Sequence, residues 1–260
     1  MLFFYRDTVN KLFSKLTRMK LILKSIFIVF CLFSCNRSKI QNLNVKKKIE
    51  EIFEKDQLIR NLKIEDVKYD TSKKYRDSVN FSSKLGVIKN VFELGELQDK
   101  YDSINKIKID SIIKTDGYPG KSKVGKPRNN YVWHVMMHQD QETIANYLPI
   151  IKKNTEKGEL EHKYYCQMLD RVLMNENKEQ IYGTQGYGIN LVDSLGKEMV
   201  TMFIWPIKDF KAVNRLRKEA GFAQTIEVYC KELLGIDFIE YNIEMVNELE
   251  KKSILNYHKQ

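Results

Sequence analysis

The stretch Tyr182–Trp205, with the sequence YGTQGYGINLVDSLGKEMVTMFIW, is where the hydrophobic pattern of the chain changes from helical spacing to period two. Its two outer parts, Tyr182–Val192 and Met199–Trp205, are rich in β-branched and aromatic residues, which favour strands. Between them, Asp193–Lys197 has the composition of a hairpin loop, and Pro206 ends the second strand. These features predict one antiparallel β-hairpin.

Apolar residues at helical spacing flank this hairpin on both sides. Before it, the pattern predicts helices at Val45–Asn61, Ser83–Leu97, Ser103–Lys114, Tyr131–His138, Gln141–Lys153 and Glu161–Asn175. After it, Asp209 is placed to cap a helix that Gly221 ends, and Thr225–Leu234 follows as another helix. Residues 64–82 are polar and aperiodic, so we expect a long connection there. The predicted fold class is mainly α (α+β), with packed helix pairs and one antiparallel β-hairpin in the C-terminal half.

The N-terminal region has the layout of a secretory signal. A basic start at Met19–Lys24 precedes the apolar run Ser25–Ser34, which is shorter than the about 20 residues that cross a bilayer. Leu32–Cys35 (LFSC) resembles the lipobox of bacterial lipoproteins, in which the cysteine thiol accepts a diacylglyceryl group. We therefore expect translation to start at Met19, cleavage before Cys35 and a stable anchor of two or three acyl chains. The alternative is a signal anchor that remains in the membrane.

This interpretation divides the chain into four segments. They are a signal region (1–34), a lipidated tether (35–46), a single α-rich globular domain (47–249) and a polar tail (250–260). The expected partner is a membrane, bound through lipid on Cys35, and the expected location is the cell envelope. Asn36 is not the aspartate that commonly signals inner-membrane retention, so we expect the outer membrane, with either face open.

Charge and cysteine content narrow the classes of partner. Loss of residues 1–34 lowers the net charge from +10 to +5, with 38 basic and 33 acidic residues left. Nucleic-acid binding would need a concentrated basic face, so we expect no nucleic-acid partner. Of the four cysteines, Cys166 and Cys230 lie outside the signal and the lipobox. They could form a disulfide in an oxidising compartment or remain buried thiols.

Several short motifs follow one another between Ile49 and Tyr229. They are Phe53–Gln57, Arg60, Gly117–Pro119, His138, Asp170–Arg171, Gln180–Gln185, Pro206–Asp209, Arg215 and Gly221. Taken in this order, they resemble an uncharacterised bacterial family of domains of unknown function. The resemblance implies a shared fold and a shared site, and it implies no particular activity.

These motifs supply the candidate site residues. His138 is suited to proton transfer near neutral pH, Asp170 could orient it or act as its acid partner, and Arg171 could hold a carboxylate or phosphate with two hydrogen bonds. The other candidates are Tyr182, Gln185, Asp56, Gln57, Asp209 and Arg215. The alternative is a buried network of Asp170, Arg171 and Gln185 that fixes the hairpin against the helices.

We expect no metal and no cofactor. His134, His138 and Glu142 have helical spacing, but Val135 stands where a zinc protease of the His-Glu-x-x-His type has its general base. Asp140, as a helix cap, would also interrupt the run. The glycines after Tyr182 precede a strand and do not open a helix, which argues against a nucleotide loop, and no Gly-x-Ser-x-Gly motif exists.

Two functional hypotheses follow. In the first, the chain is a lipid-anchored envelope protein that binds a ligand or protein partner in a groove lined by His138, Asp170, Arg171, Tyr182 and Gln185. In the alternative, it is a hydrolase of envelope material that uses His138 and Asp170 as acid/base groups and Arg171 to hold an anion. The two hypotheses differ in whether replacement of His138 abolishes turnover or only weakens binding.

Overall fold

The structure is a computed structural model that describes residues 39–61, 91–192 and 198–253. The predictions for the signal region, for Cys35, for the connection 64–82 and for the hairpin loop Asp193–Lys197 fall outside the described residues. Residues 254–260 of the predicted tail do so as well.

Nine α-helices and one hairpin are found in the described residues. The helices are α1 (39–60), α2 (Val91–Asp116), α3 (Lys121–Val124), α4 (Tyr131–Met136), α5 (Gln141–Glu156), α6 (His162–Asn175), α7 (Val213–Ala220), α8 (Ile226–Tyr229) and α9 (Ile243–Lys251). A 3-10 turn, Arg128–Asn130, precedes α4, and a π-helical turn, Cys230–Leu234, follows α8. The strands are β1 (Gly186–Val192) and β2 (Glu198–Ile204). The predicted fold class, mainly α with one antiparallel hairpin, is confirmed.

Three boundaries differ from the prediction. Residues 39–46, expected in a tether, belong to α1, and Val45 is already part of the core. Helix α2 continues through residues 98–102, where we predicted a break between two helices, and Asp102 of this stretch pairs with Arg60 of α1. Residues 83–90 of the first predicted helix lie outside the described residues. The helix α9 lies where we predicted no element, and its N-cap Asn242 accepts a hydrogen bond from the Met245 N–H.

Helix caps explain where other elements begin and end. Asp140 accepts a hydrogen bond from Thr143 N–H and begins α5, as predicted, and Thr225 caps α8 in the same way. Asp209 accepts from Ala212 N–H in a turn, and α7 begins at Val213, three residues later than a cap at Asp209 implies. Gly221 ends α7 with φ of 89°, a left-handed conformation that glycine adopts without strain.

The main core lies among α1, α2 and α4–α6. Its fully buried members include Ile49, Ile109, Met136, Ile151 and Met168, each on a different one of these helices. Burial of each such side chain contributes about 1.5–3 kcal/mol, which makes apolar packing the main stabilising term in this half of the chain.

The hairpin is covered on both faces near its open end. Phe203 packs against Val246 of α9, while its neighbour Ile204 packs against Val213 and Ile226 on the opposite face. Neighbouring strand residues point to opposite sides, so the two adjacent side chains join two separate clusters. The strands pair from Gly186 opposite Ile204 outward.

The two cysteines of the domain do not pair. Cys166 in α6 and Cys230 after α8 are both buried free thiols, which decides between the two alternatives left by the sequence. Within the described ranges, no helix is long and apolar enough to span a bilayer.

Candidate functional site

Asp170 of α6 is fully buried and organises the loop that leads into β1. Its carboxylate accepts hydrogen bonds from the backbone N–H groups of Ile181, Tyr182 and Thr184 and from the Thr184 hydroxyl, at 2.8–3.1 Å. Burial raises the pKa of Asp170 to about 6, while these hydrogen bonds act in the opposite direction. Both oxygens are therefore occupied within the protein.

Arg171 and Gln185 extend this buried network. The Arg171 Nε–H donates to Gln185 Oε1 at 2.6 Å, and Gln185 Nε2–H donates to Thr184 Oγ1 at 2.9 Å. Gln180 is also fully buried and donates to the carbonyl oxygens of Gln185 and Trp205. The side chains of Asp170, Arg171 and Gln185 thus have the arrangement of the structural alternative, in which they hold the hairpin against α6.

Arg217 of α7 is a buried cation that was not among the residues predicted from the sequence. Its side chain is 2% exposed. Nε–H donates to the Gln224 carbonyl at 2.9 Å, and Nη1–H donates to the carbonyls of Tyr182 and Gly183 at 2.9 and 3.3 Å. Burial lowers the pKa of Arg217, but a guanidinium remains charged in proteins.

Two aromatic rings lie close to the Arg217 guanidinium. The Arg217 Cζ lies 4.9 Å from the centre of the Phe222 ring and 5.0 Å from that of Tyr229. Such contacts stabilise a cation that has left water. The one sequence signal for this residue is its spacing from Val213 and Ala220, which places all three on the buried face of α7.

An open cleft of about 510 Å³ lies beside Arg217. Its aromatic lining consists of Trp133, Tyr164, Phe222 and Tyr229. Its polar lining consists of His134, His138, Lys163, Gln167, Arg217 and Gln224. No aspartate or glutamate is found among the described residues that line it. The cleft therefore combines flat apolar walls with basic and neutral polar groups.

His138 lies in this cleft with its side chain 37% exposed. Burial lowers its pKa to about 4, and the positive charges of Arg60 and Arg171 act in the same direction. His138 Nε2 is 3.8 Å from Oδ2 of Asp56, which is beyond hydrogen-bond distance. Burial raises the pKa of Asp56 to about 6, although a hydrogen bond donated by Gln57 lowers it. At neutral pH, His138 is therefore a neutral imidazole beside an ionised carboxylate.

The other predicted site residues lie elsewhere. Of the five residues predicted to line one groove, only His138 lines the cleft; Asp170, Arg171, Tyr182 and Gln185 form the network behind it. The two parts are joined by the hydrogen bond from Arg217 to the Tyr182 carbonyl. Asp209 caps an exposed turn, and Arg215 forms an exposed pair with Glu219.

The histidine spacing that invited a metal hypothesis has a packing explanation. His134 contacts the rings of Phe53, Trp133 and Tyr164. Asp140 begins a new helix between His138 and Glu142, so these two do not continue one helical face. Across the parts of the chain that the structure describes, no group of three or more His, Cys, Asp or Glu side chains could hold a metal ion.

Comparison with known proteins adds no further assignment. No protein-family model matches the chain, and neither a curated protein nor a solved structure does. The resemblance to a bacterial family of unknown function stays a prediction.

Proposed function

We propose that the chain is a lipid-anchored protein of the bacterial cell envelope whose helical domain binds a small ligand in the cleft beside His138. The observation that carries this proposal is the cleft itself, in which Arg217 and His138 meet a set of aromatic rings. Its volume of about 510 Å³ falls within the roughly 300–1,000 Å³ of ligand sites in proteins.

The chemistry of the lining supports ligand binding. Ligand sites combine apolar walls with a few polar groups that set orientation. Here the walls are aromatic rings, and the orienting groups are Arg217, the amides of Gln167 and Gln224, and the neutral imidazole of His138. At neutral pH this imidazole offers one hydrogen-bond donor and one acceptor, so it can recognise a ligand without adding charge.

The same geometry gives less support to the hydrolase hypothesis. An acid/base pair must reach the substrate from two sides, or through one water molecule. Asp170 is fully buried and its oxygens are occupied by the loop 181–184. The carboxyl group near His138 is Asp56, whose side chain is 1% exposed and does not line the cleft. His138 therefore has no solvent-reachable carboxylate beside it within the described part of the cleft.

The proposal is tested by following the NMR signal of Trp133, which lines the cleft, during ligand addition. The chain has two tryptophans, so ¹⁵N-tryptophan labelling of the full chain in detergent micelles yields two indole signals. Trp133 lines the cleft, whereas Trp205 is buried in the cluster below the hairpin and serves as an internal control. The probes are soluble peptidoglycan fragments and an extract of envelope lipids. We expect one of them to shift the Trp133 signal and leave that of Trp205 in place.

The blocking variant is Ala223→Phe, because Ala223 is an exposed residue of the cleft wall where a ring can enter the empty space. We expect it to weaken the Trp133 response at least about tenfold. Ala145→Phe makes the same change at an exposed alanine of α5 outside the cleft, and it should leave the response unchanged. Equal binding by the wild-type chain and Ala223→Phe, or no response to either probe, would contradict the proposal.

A further inference from the structure

We infer that the ligand of this cleft carries an anionic group, a carboxylate or a phosphate, next to a flat apolar portion, and that Arg217 holds the anion. This inference rests on the proposed function, since it names the chemical class of ligand for the same cleft. It is carried by the hydrogen bonds, the ring contacts and the charges around Arg217.

The Arg217 guanidinium has no bound counter-charge among the described residues. Buried charges in proteins are normally paired, because an ion loses its hydration when it leaves water. Arg217 makes no ion pair with any described residue, and its protein acceptors are three backbone carbonyls. The negative charges of Asp170 and Glu227 act on it only through space. The Asp170 oxygens face the loop 181–184, and those of Glu227 bind Asn214. The guanidinium is thus held in place by neutral groups.

One edge of the Arg217 guanidinium has no protein acceptor among the described residues. Arginine has five N–H donors in a rigid fork. Nε and Nη1 of Arg217 are used on backbone carbonyls, while Nη2 donates to no residue in the described parts of the chain. The ring centres of Phe222 and Tyr229 lie 4.9 and 5.0 Å from the Arg217 Cζ. Since Arg217 lines the cleft, Nη2 is the donor left for an acceptor that enters it.

The rest of the described cleft lining carries no negative charge. Lys163 also lines the cleft, and its ammonium pairs at 3.1 Å with Glu161, which is not part of the lining. No described carboxylate in the lining opposes these two cations. Apolar walls strengthen electrostatic attraction relative to bulk water. A cationic ligand is therefore disfavoured, and an anion beside an aromatic or other flat group satisfies both the cations and the rings.

The test compares probes that differ only in the head group. The ¹⁵N-tryptophan chain is titrated with benzoate, phenyl phosphate and benzyl alcohol, and separately with inorganic phosphate. We expect benzoate or phenyl phosphate to shift the Trp133 signal with an affinity at least about tenfold higher than that of benzyl alcohol. A preference for benzoate or for phenyl phosphate indicates whether the anionic group of the ligand is a carboxylate or a phosphate. Inorganic phosphate should bind more weakly, because it contacts no ring.

Variants assign the anion to Arg217. Arg217→Gln should remove the preference for the anionic probes, and Arg217→Lys should reduce it about tenfold because lysine lacks the planar fork. Arg215→Gln, on the exposed face of the same helix, should change nothing. The Trp205 signal reports whether each variant is folded. If the Arg217 variants do not fold, ¹⁵N-arginine labelling of the wild-type chain replaces them, and the Arg217 Nη signals should shift on addition of the preferred anion.

The outcomes separate this inference from the proposed function. Equal affinity for benzyl alcohol and the anionic probes would overturn the anion assignment. The proposed binding function would still stand if Ala223→Phe weakened the binding of these probes. Undiminished anion preference in a folded Arg217→Gln, or Arg217 signals unmoved by the anion, would also overturn it. Failure of every anionic probe to shift Trp133 has the same consequence. If Ala223→Phe has no effect on any ligand, the binding function itself is wrong.

Discussion

Asp56 and His138 are neighbours whose pKa values shift in opposite directions, so that the carboxyl has the higher pKa of the two. Burial favours the neutral form of each, which raises the pKa of the Asp56 carboxyl to about 6 and lowers that of the His138 imidazole to about 4. Between these values both side chains are neutral. Above pH 6, Asp56 is ionised in a site that is 1% exposed, and this ionisation costs folding free energy.

We predict that Asp56→Asn changes the pH dependence of stability. An acid whose pKa is raised on folding stabilises the folded state below its ordinary pKa, near 3.8, and this contribution is lost as the pH rises through about 6. Asparagine does not titrate. Relative to the wild-type chain, the variant should therefore gain about 1–2 kcal/mol in free energy of unfolding between pH 4.5 and pH 7.5, measured by urea denaturation.

Asp140→Asn is the matched control for this prediction. Hydrogen bonds from Thr143 lower the pKa of Asp140, so its contribution is lost only as the pH falls below about 3.8. Asparagine is also a good N-cap. The difference between this variant and the wild-type chain should be the same at pH 4.5 and pH 7.5. A relative gain for Asp56→Asn no larger than that of this control would refute the prediction.

At the scale of elements, Asp170 connects α6 to the loop that enters β1. Its single carboxylate accepts hydrogen bonds from three backbone N–H groups of the loop. Outside the folded protein, these groups would donate to water. Gly183 lies in this loop with φ of +64°, and a Cβ there would be 2.6 Å from the Ile226 side chain. The loop is thus closely fitted against both α6 and α8, and Arg217 donates to two of its carbonyls.

We predict that Asp170→Asn destabilises the domain by about 3 kcal/mol. The amide has one acceptor oxygen in place of two, and its NH₂ group would face N–H donors that then lack a partner. Urea denaturation at pH 7.5 measures the loss. Asp237→Asn, at an aspartate whose side chain is 83% exposed, should change the free energy of unfolding by less than about 0.5 kcal/mol. A loss at Asp170 as small as that at Asp237 would show that the network contributes little.

At the scale of the whole molecule, the proposed anchor is only a few residues from the start of the domain in sequence. The proposed lipid site, Cys35, lies outside the described residues, and α1 is described from residue 39. The domain begins close to the proposed anchor, since Val45 is already buried in the core. A short separation of this kind would keep the domain, and with it the cleft, near the membrane surface.

We predict that a bacterial host given labelled palmitate incorporates the label into the wild-type chain and not into Cys35→Ala. The thiol of Cys35 is the proposed acceptor of the diacylglyceryl group, and a second acyl chain depends on its freed amine. Cys166→Ala, which removes a buried thiol of the domain, should keep the label. Label that survives in Cys35→Ala would contradict the lipoprotein proposal.

The sequence predicted local structure more completely than it predicted the site. The strands of the hairpin, the cap at Asp140 and the stop at Gly221 depend on neighbouring residues, and all three are found in the structure. Of the predicted groove residues, His138 lines an open cleft. The division of the others between a cleft and a buried network depends on contacts between distant segments, which no local pattern contains.

By itself, the sequence determined the mainly helical class and the position of the hairpin, because periodicity, caps and turn residues act over a few positions. Only the tertiary structure decided that Asp170 serves the loop and that Arg217, not Arg215, is the buried arginine of α7. The physical reason is that the burial of Asp170 and Arg217 depends on how α6, α7 and the loop before β1 pack against one another. Arg217, four residues after Val213, would be an ordinary surface residue if these segments did not pack around it.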